Sequence, residues 1–245
     1  MATKKAPRRR KELDITDEIT DHYKKNFDLS NIDLKKLPHL TDNQIRFYQL
    51  TQNPKTNMVF VDGPAGSAKT QVAVYGALEL LKNRQVDRII YVRTIVESAS
   101  RSLGALPGEL DDKFLYFSMP LIDKLNEMTS ISTYKALMEQ EYIKAMPVNF
   151  IRGLTFHNSA VIIDESQNAT KKELSSCLSR FGRGSHYFVI GDTKQNDIND
   201  SGFKEVFDKF DQEFSRKNEI HCLKFDNADI VRSPILRHIT QILGV

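Results

Sequence analysis

The segment Gly63-Pro-Ala-Gly-Ser-Ala-Lys-Thr70 combines small residues, a lysine and a hydroxyl at a spacing that suits phosphate binding. A loop of this kind points its backbone N–H groups into a concavity at the start of a helix, where the helix dipole favours an anion. In such a loop the lysine reaches the β- and γ-phosphates of a nucleoside triphosphate, and the hydroxyl binds Mg²⁺. We therefore expect a triphosphate-binding loop that comprises Gly63, Pro64, Ala65, Gly66, Ser67, Ala68, Lys69 and Thr70.

Acidic and amide side chains follow two later apolar runs. Asp164 and Glu165 end the first run, where one carboxylate can hold the hydration shell of Mg²⁺ and the other can polarise an attacking water. Gln195 follows the second run, which ends at Gly191, and is placed to sense the γ-phosphate and to help orient that water. The predicted metal ligands are Thr70 and Asp164, and the predicted catalytic residues so far are Lys69, Glu165 and Gln195.

Three arginines and one glutamine are further candidates. Arg93, Arg152 and Arg232 could each stabilise developing phosphate charge as an arginine finger, and each taken singly also fits a surface ion pair. We favour Arg93 as a nucleotide-binding residue and Arg232 as a catalytic one. Gln44 precedes the loop, and its amide can donate and accept at once, as the adenine edge requires. Taken alone, Gln44 fits an exposed helix position better than an adenine-binding one.

Four near-continuous apolar runs of strand length carry these clusters, and they lie at 57–62, 88–93, 160–164 and 186–191. Such runs are typical of parallel strands that are covered on both faces. Helical patterns separate them, including one at 41–50 that Thr41 or Asp42 can cap and a last one after Ser233, and an alternating segment at 219–225 predicts a final strand. We therefore expect an α/β fold with a mostly parallel sheet flanked by helices, and ligands at the carboxyl ends of its strands.

The chain divides into a tail, a lead-in and a core. Residues 1–11 contain six of the 35 basic residues and no acidic one, which leaves 29 basic against 32 acidic residues in the rest. We expect 1–11 to be a disordered basic tail that suits phosphate backbones or acidic partners, or else a solvated terminus without a specific role. We expect 12–40 to be a partly helical lead-in and 41–245 to be one core domain, with a helical insertion at about 98–149.

Composition excludes several classes of protein. The 245 residues suffice for one α/β domain, and 40% hydrophobic with 27% charged residues is ordinary for a folded globular protein. No apolar run reaches the roughly 18–20 residues that span a bilayer, and no secretory signal follows the basic start. Cys177 and Cys222 lack metal-ligand spacing, so we expect buried thiols in a reducing compartment.

Together these motifs resemble the PhoH-like family of ATPases, over about 41–243. The family pattern matches Asp42-Asn43-Gln44, the Gly-Pro-Ala-Gly start of the loop and Tyr91-Val-Arg-Thr94. The segment Leu103-Gly-Ala-Leu-Pro-Gly108 is its most specific feature. Further matches follow in family order at Arg152-Gly153, Asp164-Glu-Ser-Gln-Asn168, Gly191-Asp192, Gln195, Ser201-Gly202 and Asp229-Ile-Val-Arg232.

The resemblance implies a single RecA-like P-loop NTPase domain that uses ATP and Mg²⁺ and assembles into a ring-shaped homo-oligomer, for instance a hexamer. Kinship with superfamily 1 helicases implies that Gln44 reads adenine and that RNA or single-stranded DNA is a partner. Such proteins are frequent in bacteriophages, and the short chain suits one. We therefore expect a cytoplasmic location, in the host if the protein is phage-encoded, with no membrane partner.

Three functions remain open at this point. An ATPase that moves along a nucleic-acid strand needs two RecA-like domains, so one such domain would require an oligomer with an arginine from its neighbour. A nucleotide-gated binding module with little turnover is the alternative, because Ala68 stands where glycine is usual in the loop. A nucleoside kinase of the thymidine kinase type shares the core motifs but usually adds a four-cysteine zinc ribbon, which two cysteines cannot build.

Overall fold

A six-stranded sheet in which all pairings are parallel runs through the part of the chain that the structure describes. The structure is a computed structural model that describes residues 27–94 and 110–231, together with residues 235, 238, 239 and 242. The sheet has the order β3-β2-β4-β5-β1-β6, which confirms the predicted α/β class. The strands are β1 (Met58–Asp62), β2 (Arg88–Arg93), β3 (Ile143–Pro147), β4 (Ser159–Asp164), β5 (His186–Gly191) and β6 (Ile220–Lys224).

Helices cover both faces of this sheet. In β1, Val59 and Val61 belong to one buried cluster and Phe60 to the other, so this strand is covered on both faces and its apolar run is continuous. The first cluster packs under α1 to α4, and the second under α5 and α6. The helices are α1 (Asp42–Gln52), α2 (Lys69–Lys82), α3 (Leu110–Met128), α4 (Ile131–Glu139), α5 (Lys171–Leu178), α6 (Phe203–Phe210) and α7 (Glu213–Lys217).

The segment predicted as a helical insertion contributes a strand as well as helices. Its helices α3 and α4 lead into β3, which pairs with β2 and forms one edge of the sheet. The strand contains the exposed Lys144 and ends at Pro147, both of which suit an edge. Because these residues interrupt the apolar pattern, the strand is not predicted from the sequence. Residues 95–109, with the family-specific segment at 103–108, lie outside the described residues.

Only part of the predicted lead-in at 12–40 lies within the described residues, as does the predicted cap of α1. Residues 29 and 32 of the predicted lead-in are a buried leucine and isoleucine that pack into the first cluster. Thr41 caps α1, and its side chain and that of Gln44 form a reciprocal capping box. The tail at 1–11 and the predicted cap Ser233 lie outside the described residues. Within the described ranges, no helix combines the length and the apolarity needed to cross a membrane.

Candidate active site

The loop between β1 and α2 has the backbone shape of an anion site. Gly66 has φ 82°, and Ala68, the residue before α2, has φ 61° and ψ 19°. No side chain caps α2 at this position, so the N–H groups of its first turn remain available to an anion. The left-handed conformation explains why glycine is usual here, since it costs another residue roughly 1–2 kcal/mol.

Lys69 lies across this loop. Its ammonium Nζ donates to the carbonyl oxygens of Gly63 at 2.5 Å and Pro64 at 2.9 Å. Burial lowers the pKa of Lys69, and the nearby carboxylates of Asp192 and Asp164 oppose that shift. The ammonium is therefore held close to the loop by two neutral carbonyl oxygens, which phosphate oxygens can replace.

Asp164 joins the end of β4 to the loop. The hydroxyl of Thr70 donates to its Oδ1 at 3.2 Å, and the hydroxyl of Tyr91 donates to its Oδ2 at 2.5 Å. The carboxyl is buried, and this burial raises its pKa with the help of the Glu165 carboxylate, while the bond from Tyr91 acts in the opposite direction. A hydroxyl and a carboxylate in contact beside a phosphate-binding loop are the oxygen donors that Mg²⁺ prefers, so these residues fit the predicted metal.

Tyr91 contributes through its hydroxyl, a role that the family motif at 91–94 does not indicate, because a tyrosine inside an apolar strand is usually a core residue. We expect Tyr91→Phe to weaken binding of the predicted Mg²⁺ by about 10-fold, measured by titration with Mg²⁺, since partners that orient a metal ligand typically have effects of that order. Tyr187→Phe is the matched control, because the Tyr187 hydroxyl is buried without a hydrogen-bond partner among the described residues. Equal Mg²⁺ dependence in the two variants would contradict this role.

Glu165 is held by its neighbours at the mouth of the site. Gln167 donates from Nε2 to Glu165 Oε2 at 2.7 Å and accepts at Oε1 from the backbone N–H of Asp192 at 3.1 Å. The guanidinium of Arg93 lies 3.6 Å from Glu165 Oε1. Glu165 has φ 52°, an unfavourable conformation for this residue type that is common at functional sites. Its carboxylate is thus aimed by Gln167 and Arg93 together.

One cavity of about 290 Å³ brings most of the predicted residues together. Its lining includes Lys69, Thr70, Asp164, Glu165 and Gln195, together with loop residues from Ala65 onward.

Gly63 and Pro64 line a neighbouring cavity of about 300 Å³. Asp192 lines both cavities, and its Oδ2 is buried without a hydrogen-bond partner in the described part of the chain. The lining also contains Lys124, which no motif indicated.

Gln44 lies beneath the loop. Its side chain is fully buried, and Nε2 donates to the carbonyl oxygens of Ser67 at 3.1 Å and Asp229 at 2.8 Å. Its Oε1 accepts from the backbone N–H of Thr41 at 2.9 Å. Gln44 therefore ties α1 to the loop and to the segment at 227–231. Adenine recognition by Gln44 stays a prediction, and both of its amide hydrogens already have partners.

Neither of the two predicted arginines that the structure describes lines the cavity. Arg93 contacts Glu165 and does not line the cavity itself. Arg152 is exposed and follows the edge strand β3, which β2, β4 and β5 separate from the strand that carries the loop. Arg232 lies outside the described residues.

Comparisons with known proteins agree with this geometry. The family described as PhoH-like protein matches residues 36–244. A PhoH-like protein of Bacillus subtilis (strain 168) is 35% identical over 187 residues, which cover 76% of this chain and 58% of that protein. Protein PhoH of Escherichia coli (strain K12) is 30% identical over 203 residues, or 81% of this chain and 56% of that protein. The chain therefore spans little more than half the length of the relatives it matches.

Proposed function

Because the chain belongs to the PhoH-like protein family, a family of P-loop NTPases, we propose that it binds ATP with Mg²⁺ and hydrolyses the terminal phosphate. The observation that carries the proposal is the convergence of Lys69, Thr70, Asp164 and Glu165 on one cavity. These are a cation, a hydroxyl and two carboxylates, and phosphoryl transfer to water needs each of them.

In the proposed reaction, phosphate oxygens replace the carbonyl oxygens of Gly63 and Pro64 as partners of Lys69. Thr70 and Asp164 hold Mg²⁺, which neutralises charge that develops between the β- and γ-phosphates. Glu165 polarises a water that attacks the γ-phosphorus, the bond from that phosphorus to the bridging oxygen breaks, and ADP leaves with that oxygen. The proton of the water passes to Glu165 and then to solvent. Gln195 contacts the γ-phosphate and orients the water.

The proposal extends to partners. Since one RecA-like domain cannot grip and step along a strand by itself, the active form is a homo-oligomer, proposed as a ring, that acts on RNA or single-stranded DNA in the cytoplasm. The exposed Arg152 at an edge of the sheet is available to a neighbouring subunit. Arg232 is proposed as a catalytic arginine, supplied within the chain or from that neighbour. A single-chain mass by light scattering with ATP at micromolar concentration would contradict the oligomer.

A second candidate function is a nucleotide-gated binding module with little turnover. The observation that favours it is the left-handed Ala68, where a methyl group occupies the position usually held by glycine. The experiment that separates the two is phosphate release from ATP by the purified chain across a panel of RNA and DNA strands. The proposed ATPase predicts release that one class of strand accelerates. Tight ATP binding without release under any of these conditions would establish the binding module instead.

A further inference from the structure

Lys124 lines the cavity, and it belongs to a helix that contains none of the nucleotide-binding motifs. It belongs to α3, which packs against α2, β2 and β3. Its side chain is only 19% exposed, and it lines the same cavity as Lys69, Thr70 and Glu165. Its Nζ pairs with both carboxylate oxygens of Glu127, at 2.9 and 2.8 Å.

The ion pair with Glu127 does not by itself account for this placement. Ion pairs of this kind on a helix surface contribute little to the stability of a protein. Here the Glu127 side chain is 50% exposed, whereas that of Lys124 is mostly buried on the side of the cavity. The Lys124 side chain is therefore more sheltered from solvent than that of its partner, and it forms part of the cavity wall.

The charges of the cavity provide a reason for a second cation. Its described lining contains the carboxyl groups of Asp164, Glu165 and Asp192, and its basic residues are Lys69 and Lys124. Phosphoryl transfer spreads negative charge over the oxygens of the transferred group, and a further cation besides the loop lysine commonly stabilises it. Of the predicted arginines, Arg93 is paired with Glu165 outside the lining. Lys124 is placed for this role within the chain.

We propose that Lys124 exchanges Glu127 for the terminal phosphate of the bound triphosphate and stabilises that phosphate during transfer. The inference rests on the proposed function and names a catalytic residue for it. The exchange is favourable because a γ-phosphate carries more charge than one carboxylate, and the long lysine side chain can turn without movement of the helix. ADP has no γ-phosphate, so Lys124 also distinguishes the triphosphate from the diphosphate and links α3 to the nucleotide state.

The test compares Lys124→Met with wild type in ATP hydrolysis and in equilibrium binding of ADP and a non-hydrolysable ATP analogue, each with Mg²⁺. Methionine keeps an unbranched apolar stem and removes the charge. We expect kcat to fall at least about 10-fold, with weaker analogue binding and unchanged ADP binding. Lys124→Arg should recover part of the rate. Glu127→Gln, which removes the ion pair and keeps the cation, should hydrolyse ATP at least as fast as wild type.

The outcomes separate this inference from the proposed function. Wild-type rates in Lys124→Met, together with an inactive Lys69→Ala variant, would overturn the role of Lys124 and leave the ATPase intact. An equal loss in Glu127→Gln would overturn it too, because the effect would then belong to the ion pair of α3. Failure of the wild-type protein itself to bind the analogue would contradict the proposed function and the inference together.

Discussion

Replacing Lys69 by alanine is expected to lower ATP hydrolysis by at least about 100-fold, the usual effect of losing one donor that stabilises transition-state charge in a site sheltered from water. The change removes the ammonium that donates to the carbonyl oxygens of Gly63 and Pro64. ATP binding should weaken as well, because the β- and γ-phosphates lose their main cation. Phosphate release and calorimetric binding of ATP measure the two effects.

Lys172→Ala is the control for this variant, since Lys172 is an exposed lysine of α5 that lines neither cavity. The melting temperatures of both variants should stay near that of the wild type, which would show that the loss is local. Hydrolysis that survives in purified Lys69→Ala would mean that a contaminant, or a different site, is responsible for the activity.

Replacing Glu165 by glutamine is expected to separate binding from turnover. The amide keeps the size of the side chain and an oxygen that can accept from Gln167, but it cannot take a proton from water. Loss of a general base typically costs about 10²- to 10⁴-fold in rate, so turnover should fall by that order while ATP binding is retained. Single-turnover phosphate release and calorimetry on the same protein give both quantities.

Glu213→Gln is the matched control, because the Glu213 side chain is 81% exposed on α7. It should hydrolyse ATP at the wild-type rate. If Glu165→Gln turned over ATP as fast as this control, Glu165 would have no role in activating water. If it failed to bind ATP at all, the carboxylate would serve binding rather than the chemical step.

Much of the sheet was predictable because its inner strands are covered on both faces. The run from Met58 to Asp62 is apolar on both sides of the pleat, so its pattern is continuous and distinct from that of the helices. The edge strand β3 is not covered on both faces along its whole length, and Lys144 and Pro147 interrupt its apolar pattern in the sequence. Strand prediction failed at this edge, whereas the other edge strand, β6, alternates between polar and apolar residues and was predicted at 219–225.

The loop and its carboxylates were predictable for a different reason, since each follows a strand directly in a contiguous motif whose residue types suit phosphate and Mg²⁺. Tyr91 and Lys124 were not, because their roles arise from contacts between segments far apart in the chain. Tyr91 meets Asp164 across the β2–β4 pairing, and Lys124 reaches the cavity from α3. The contact of Gln44 with Ser67 could not be predicted for the same reason, because it depends on how α1 packs against the loop.

The most direct test of the central claim is a calorimetric titration of the wild-type chain with a non-hydrolysable ATP analogue, with Mg²⁺ and with excess chelator. We predict one nucleotide per chain, with affinity that falls when Mg²⁺ is removed and also falls in Lys69→Ala. Absence of binding by the wild-type protein, or binding of equal strength in Lys69→Ala, would contradict the assignment of Gly63–Thr70 and Asp164 as a magnesium–nucleotide site.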